Sequence, residues 1–415
     1  MPAQIIEYID IPGPDEGDRD LALDIASQGA RVTAAEGSLR VYGGPYAKFR
    51  HAIANRMSSP VDIMCIGDSL TEGARASTLE TRWVNVLRDL LRAAYPTPGI
   101  TGGFGYIPAQ YYTTGPLNNS QVFTLGGTAA VDGGALFGHG RRNVVLDASG
   151  EKINASGVVC SSFDVVYTQG TTQGVVGVSI DGGAVVTHAT NGATSSGTRW
   201  NAGALTPGPH DIEISWQSGN KVDLEGIMVY NGDESAGIRM WEGGHGGYTS
   251  ARYLINMPGT TYWQETITNI QPDLVLIEVG ANDWWYNSGV VSGSYGDFPA
   301  TAVKTNISNL IAGIRERCTI PPSIALLIAH DRGDASQVVG QVPLLPWNDY
   351  VAAYYELAAA DPSIGIIDMR NIMGPVPYTV GAPSYGQLHV DKVHLVDSGN
   401  TTYANAIFHA ITAGA

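Results

Sequence analysis

Three short stretches of this 415-residue chain carry side chains that could act together on a carbonyl carbon. Ser69 stands in Gly67-Asp-Ser-Leu70, Asn282 in Gly280-Ala-Asn-Asp283, and His394 at the end of Asp391-Lys-Val-His394. A serine hydroxyl is a weak nucleophile at its free pKa. It needs a base within hydrogen-bond reach, a third group that orients the base, and donors for the developing oxyanion. Taken singly, each stretch has an ordinary explanation. A serine in a strand-to-helix turn commonly caps the helix. An Asp-x-x-His run suits a surface loop, and Asn282 is either a turn former or a side-chain donor to an oxyanion. The nucleophile elbow Gly-x-Ser-x-Gly is absent. His-Glu-x-x-His, the Walker phosphate loop and Gly-x-Gly-x-x-Gly are absent too, which weakens metalloprotease, nucleotide-hydrolase and dinucleotide readings.

The elements that must position these residues follow from hydrophobic period. The run 61–66, Val-Asp-Ile-Met-Cys-Ile, is short, apolar and β-branched, as in a buried parallel strand, and a helix-like stretch over 46–57 precedes it. After the turn 67–73 comes a helix from about residue 80, with Trp83, Leu87, Leu90, Leu91 and Ala94 on one face. Residues 100–232 change character and become alternating and rich in Gly, Thr, Ser and Val. Strands are expected over 163–168, 174–180, 183–187, 210–216 and 222–230, separated by turn signals. Such spacing predicts an antiparallel β-sandwich, a separate module inserted into an α/β domain. The α/β rhythm then resumes, with strands over 274–279, 323–329 and 365–368 and helices over 301–317, 347–360 and 397–411. This alternation predicts a parallel sheet covered on both faces, with ligands beyond the carboxyl ends of its strands. Residues 67–69 and 280–283 each follow a strand directly, so both are expected at that rim.

Composition narrows the partners. The formal net charge of −16 argues against nucleic acid and anionic membrane surfaces. Cys65, Cys160 and Cys318 are far apart and form no Cys-x-x-Cys, which predicts buried free thiols rather than a disulfide framework or zinc site. No run of eighteen apolar residues occurs, so no membrane-spanning helix is expected. The first twenty residues lack a basic region followed by an apolar one. A location inside the cell, or an exit by another route such as a phage particle, is therefore expected.

In chain order, the stretches resemble the four blocks of the SGNH (GDSL) hydrolase superfamily. These are Gly-Asp-Ser near the start, a glycine in a short loop after the second core strand, Gly-x-Asn-Asp, and Asp-x-x-His before the final helix. The resemblance covers about residues 46–100 and 235–415. It implies a three-layer α/β/α, flavodoxin-like domain with a parallel sheet, plus the inserted antiparallel β-sandwich. The expected organisation is an N-terminal extension over 1–45, the first part of the hydrolase domain over 46–106, the insert over 107–232, and the second part over 233–415. The second block is read from Gly244-His-Gly-Gly-Tyr-Thr-Ser250, a departure from the commoner Ser-Gly-Asp/Asn-Thr form. Aligned on its Thr, the oxyanion glycine is Gly247, with Gly246 the alternative.

The resemblance implies a role for each residue. Ser69 attacks an ester carbonyl, and His394 takes its proton and later protonates the leaving alkoxide. Asp391 accepts the other ring N–H and fixes the tautomer. The oxyanion is held by the backbone N–H groups of Ser69 and Gly247 and the side-chain amide of Asn282. Asp68 and Asp283 organise turns, and no metal or organic cofactor is implied. Trp284, Trp285 and Tyr286 are candidate substrate-binding residues for stacking on sugar rings, with packing against the neighbouring loop as the alternative. His245 and His389 read as loop hydrogen-bonders, and His330-Asp331 as a loop-structuring pair or a substrate contact at the rim.

Within 163–231, the runs 178–184, 207–214 and 222–229 resemble closing strands of carbohydrate-binding-module sandwiches. That pairing implies an acylated carbohydrate or cell-wall glycan as substrate. Gly103-Phe-Gly-Tyr-Ile-Pro108 and the low Lys content resemble SGNH proteins of actinobacteria and their phages. The expected activity is a carboxylic-ester hydrolase, most simply a deacetylase of a glycan. The alternatives are an esterase on other acyl or lipid esters, an O-acyltransferase, and a glycan-binding structural or phage-tail protein with a vestigial site. The oligomeric state is not legible.

Overall fold

A computed structural model describes residues 44–110, 122–131, 137–254, 263–286, 299–331, 346–375, 377 and 380–413. Nearly all of the 1–45 extension lies outside the described residues. The chain opens with α1 (Ala47–Ala54), β1 (Pro60–Gly67), the single turn α2 (Ser69–Glu72) and α3 (Trp83–Ala94). An antiparallel region follows: β2 (Gly105–Pro108), β3 (Phe123–Gly126), β4 (Ala130–Val131), β5 (Val144–Leu146), β6 (Lys152–Gln169), β7 (Val175–Ile180), β8 (Val186–Ala189), β9 (Ser195–Ser218) and β10 (Val222–Tyr230). The α/β pattern returns with β11 (Gly237–Gly244), α4 (Ser250–Leu254), α5 (Glu265–Ile270), β12 (Leu274–Glu278), α6 (Ala281–Tyr286) and α7 (Ala300–Arg317). Last come β13 (Ser323–Ile328), α8 (Trp347–Ala360), β14 (Ile364–Asp368), α9 (Met369–Met373) and α10 (Asp397–Thr412).

Five strands form one parallel sheet in the order β11-β1-β12-β13-β14. Every residue of β1 after Pro60 is buried, as are all of β12 and β13. Such strands read as continuous apolar runs because helices cover both faces of a parallel sheet. Here α3 packs with α10, and α7 packs with α4, α5 and α8. The order is the flavodoxin one, and its switch point lies between β1 and β12, where the chain departs to opposite sides. In register, Gly67 pairs with Gly244 on one side and Glu278 on the other. The loops after β1, β11 and β12 therefore start from one level and diverge around a crevice.

The strand β11 was not placed by hydrophobic pattern, and only the resemblance implied a core strand ahead of the glycine loop. It carries Arg239 and Glu242 and has glycine at both ends, so it lacks an apolar run. Its charges are instead buried and paired: Arg239 with Asp62 at 2.5 Å, and Glu242 with Arg82 at 3.4 Å. Helix α3 starts at Trp83 rather than near residue 80. Arg82 is extended there and spends its side chain on Leu79 O, Asn85 and Glu242.

Among the described residues, the antiparallel strands form one continuous sheet in the order β4-β5-β10-β6-β9-β7-β8, with β2 on β10 and β3 on β6. The expected strands over 163–168 and 210–216 are segments of much longer ones, β6 with 18 residues and β9 with 24. The β6–β9 ladder shifts register four times, at Ala155/Val158, Cys160/Ser162, Ser162/Asp164 and Tyr167/Gln169. Bulges bend a sheet, and this one wraps around its own core of Phe163, Val165, Ile212, Ile214, Leu224 and Ile227. The antiparallel sheet is joined to the α/β part by packing. Tyr106, Val166, Met228 and Tyr230 belong to the α/β core, and Tyr106 stacks on Trp241 at 5.3 Å and 25°. The three cysteines are buried and unpaired with one another.

Candidate active site

The strand β1 ends at Gly67, where any Cβ would overlap the Thr71 side chain and press on Glu278 O at 2.9 Å. Asp68 then turns the chain, and its Oδ1 accepts the Leu70 N–H at 2.9 Å as the cap of α2. This leaves Ser69 as the first helical residue, 5% exposed at the rim of the sheet. The turn is anchored from both sides. The Trp83 indole N–H donates to Leu70 O at 3.0 Å, and the Tyr253 hydroxyl donates to Gly67 O at 2.6 Å.

The base arrives from the far end of the chain. Leu388 and Leu395 pair as an isolated antiparallel bridge, and the His389 N–H donates to His394 O at 2.8 Å. With Lys392 in the left-handed region (φ 61°), this closed loop brings Asp391 beside His394. His394 Nε2 lies 2.9 Å from Ser69 Oγ, and His394 Nδ1 lies 3.0 Å from Asp391 Oδ2. Asp391 Oδ1 accepts the N–H groups of Val393 (3.0 Å) and His394 (2.9 Å). Partial burial pushes the Asp391 carboxyl up. The His394 ring and these two backbone donors outweigh it and hold the group well below the usual carboxylate range. Oδ2 has two further neighbours, His389 Nδ1 at 2.9 Å and Arg75 Nε at 3.4 Å.

The glycine loop after β11 hangs over the serine. The Gly246 N–H is already given to Glu72 Oε2 at 2.7 Å. Of the two candidate glycines it is therefore Gly247 whose N–H stays out of that bond. Gly247 has φ +77°, a conformation that glycine adopts without strain. Asn282 reaches the same place from the first turn of α6, just after β12, but its amide is committed. Nδ2 lies 3.1 Å from Asp68 Oδ2 and 3.0 Å from Tyr248 O. Asn282 thus ties the serine turn to the glycine loop, and an oxyanion would have to share its amide hydrogens. Asp283 accepts the Ser250 N–H (2.8 Å) and Oγ–H (2.6 Å), and burial pushes its carboxyl up to about 6. It organises the start of α4, as expected of a turn residue.

The aromatic triplet divides. Trp284 is 5% exposed and packs in the core at 5.7 Å from Trp347, so it offers no face to a sugar. Trp285 is partly buried against the same core. Tyr286 alone stands beside the glycine loop, its hydroxyl 3.4 Å from where a Cβ on Gly247 would sit. His330 is fully buried, and the Tyr403 hydroxyl lies 2.5 Å from its Nδ1 and 3.0 Å from its backbone nitrogen. His245 stacks on Tyr248 at 3.6 Å and 14°, and its Nδ1 meets Gly140 O at 2.8 Å. Burial first, then Arg142, holds its ring well below the usual histidine range. Besides Arg75 and Tyr253, the residues absent from the sequence reading that join the site include Glu72 and Arg142, which pair at 2.6 Å. Glu72 had a weak signal, being one turn after Ser69. Arg142 had none, since it lies far off in the antiparallel region.

Chemically, the arrangement can move a proton from Ser69 Oγ to a neutral His394 whose Nδ1–H donates to an ionised Asp391. Among the described residues no group of three or more His, Cys, Asp or Glu side chains is set to hold a metal ion. No described helix is long and apolar enough to cross a membrane.

No protein-family model and no curated protein matches the sequence. Solved structures do. The chain is similar to a peptidoglycan O-acetylesterase over 88% of its own length and 94% of that protein's, with a TM-score of 0.60 and 14% identity. It also matches a family two carbohydrate esterase from Cellvibrio japonicus over 69% of this chain and 93% of that one, with 11% identity and a TM-score of 0.28. An acetylxylan esterase from Geobacillus stearothermophilus matches over 43% and 74%, with 20% identity and a TM-score of 0.34. The first superposition carries the comparison, and it is one of fold. The molecule, a five-stranded parallel sheet with a separate antiparallel sheet, is similar in fold to that esterase.

Proposed function

We propose that this protein is a serine carboxylic-ester hydrolase that removes acyl groups, most simply acetyl, from a carbohydrate or cell-wall glycan. One observation carries the reading. Ser69, His394 and Asp391 form an unbroken relay at 2.9 and 3.0 Å, placed at the switch-point rim of the sheet. The fold shared with a peptidoglycan O-acetylesterase supports the class of substrate.

In this reading Ser69 Oγ bonds to the ester carbonyl carbon while its proton passes to His394 Nε2. The oxyanion is met by the N–H groups of Ser69 and Gly247, with the Asn282 amide at its side. The carbon–alkoxide bond then breaks, and the leaving oxygen takes the proton from Nε2. Water attacks the acyl-serine by the same route in reverse, and its proton goes to Nε2 before passing back to Ser69 as the acid leaves. Asp391, kept ionised by its donors, holds the ring and balances the imidazolium.

The test uses activated esters from C2 to C12 and acetylated cell-wall glycans, with release of acid recorded. We expect acetate to be favoured and Ser69→Ala to lose on the order of a million-fold in rate. A fluorophosphonate adduct should map to Ser69. A Ser69→Ala protein as active as the wild type would end the proposal, and no hydrolysis by the wild type would favour a glycan-binding protein with a vestigial site.

A further inference from the structure

The antiparallel insert reaches into the glycine loop through one buried arginine. Arg142 lies between β4 and β5 and is 6% exposed. Its guanidinium points three ways: Nη2 to Glu72 Oε1 at 2.6 Å, Nε to Gly244 O at 2.9 Å, and Nη1 to Gln110 Oε1 at 2.9 Å. Glu72 is likewise buried, and its other oxygen takes the Gly246 N–H. The insert adds a second brace, the Gly140 carbonyl on the His245 ring. The remaining bonds come from the α/β part. Glu242 Oε1 takes the Gly244 N–H at 2.6 Å, and Gly67 O takes the His245 N–H at 2.9 Å. The N–H groups of Gly244, His245 and Gly246 and the Gly244 carbonyl are thus pinned, while the N–H of Gly247 enters none of these bonds.

The sequence explains why pins are needed. Two consecutive glycines, Gly246 and Gly247, have the softest backbone dihedrals available, and an unheld loop would present its N–H groups in many directions. A buried ion pair is also a weak device for stability, since apolar residues of similar volume often serve as well. Its use here lies in direction: a planar fork fixed to a carboxylate at one arm and to a carbonyl at another.

We propose that Arg142 and Glu72 are positioning residues that set the direction of the Gly247 N–H, so that the insert completes the oxyanion site of the α/β sheet. This rests on the esterase reading above. Neither residue touches the substrate, and they act through the peptide groups of Gly244 and Gly246. The insert is then part of the catalytic apparatus for small esters as well as polymeric ones.

The experiment compares Arg142→Gln, Arg142→Lys and Glu72→Gln in the full chain, on an activated acetate ester, at temperatures where each is folded. We expect Arg142→Gln and Glu72→Gln to lower kcat by about 10–100-fold with KM within about threefold, as for a misdirected catalytic group. Inhibition by phenylboronic acid, which forms a tetrahedral adduct on the serine, should weaken by the same factor. Arg142→Lys should recover part of the loss, and the midpoint of the pH profile should not move. Hydrogen exchange in a peptide covering residues 244–250 should accelerate in both Gln variants, a readout independent of turnover. Unchanged kcat with unchanged exchange, or a rise in KM alone, overturns the proposal. A wild type with no Ser69-dependent hydrolysis brings down the esterase reading instead, and exchange still decides whether Arg142 holds the loop.

Discussion

The two sides of the site are built differently. On the nucleophile side, Asp68, Ser69, Glu72 and Asn282 are all buried, and they sit at the ends of the central strands. Their positions follow from strand register, one glycine with no room for a side chain, and buried donors from Trp83 and Tyr253. On the base side, Asp391 and His394 stand on a loop where Val390, between His389 and Asp391, is 87% exposed. That loop leans on one carboxylate, whose two oxygens gather the backbone and side-chain donors. Rigidity comes from packing on one side and from a hydrogen-bond hub on the other. Substitutions on the first should disturb folding and rate together, and on the second mainly rate.

After the loss of Ser69 itself, the largest effects should come from the base side. His394→Ala should cost nearly as much as losing Ser69, on the order of a million-fold in kcat, with little change in Tm. Asp391→Asn should cost less, about ten-thousand-fold, since the ring keeps its place but can hold the wrong tautomer. An Asp391→Asn protein with wild-type kcat would break the hub description. On the nucleophile side, Asn282→Ala should lower kcat by about 100–1000-fold with KM nearly unchanged. Tm should fall too, because the buried Asp68 carboxylate loses a donor. A pure KM effect would place Asn282 in substrate binding.

How much of this was legible in the sequence follows the same division. Ser69, Asn282, Asp391 and His394 sit in short contiguous runs next to strong strand or helix signals, and the resemblance of those runs, taken in order, to the blocks of a known family was what brought them into one site. The partners that hold them were not local. Arg142 meets Glu72 only because the sheet of the insert folds back on the rim. The strand β11 was hidden because its charges are satisfied in the interior rather than by water. The bulges that let β6 and β9 run through the whole antiparallel sheet leave no mark on hydrophobic alternation. Trp284 shows the converse: its place in an aromatic triplet beside the rim suggested a binding surface, whereas its position within α6 turns it to the core.

A smaller effect separates the hub from its periphery. His389 Nδ1 shares Oδ2 of Asp391 with His394, but both partners of that contact are about a third exposed. Such contacts are worth up to about 1 kcal/mol, so His389→Ala should lower kcat/KM by only about two- to fivefold. A hundredfold loss would make His389 part of the base apparatus.

A last difference lies in stability and not in rate: it varies with pH, and it runs in opposite senses on the two sides. Burial pushes the Asp283 carboxyl up to about 6 in the folded chain. A group raised in this way favours folding while protonated. Its contribution is present in full below about pH 4, the value of an unfolded aspartate, and is lost as pH rises through about 6. Asp391, held low by its donors, contributes above about pH 4 and loses that only in stronger acid. Between pH 4.5 and 8, therefore, Asp283 varies and Asp391 does not. At about 1.4 kcal/mol per pH unit, the span open to Asp283 is worth at most roughly 3 kcal/mol. Asp283→Asn removes the titration while keeping an oxygen for the Ser250 N–H. Other raised carboxyls, Glu225 at about 7 and Asp273 at about 6, are common to both proteins and cancel in the comparison. Thermal unfolding of the two should then show the wild type ahead by its widest margin near pH 4.5, with the gap closing by several degrees at pH 8. A gap independent of pH would mean that Asp283 stays ionised in the folded chain, and that the buried side of the site is less dry than its burial suggests.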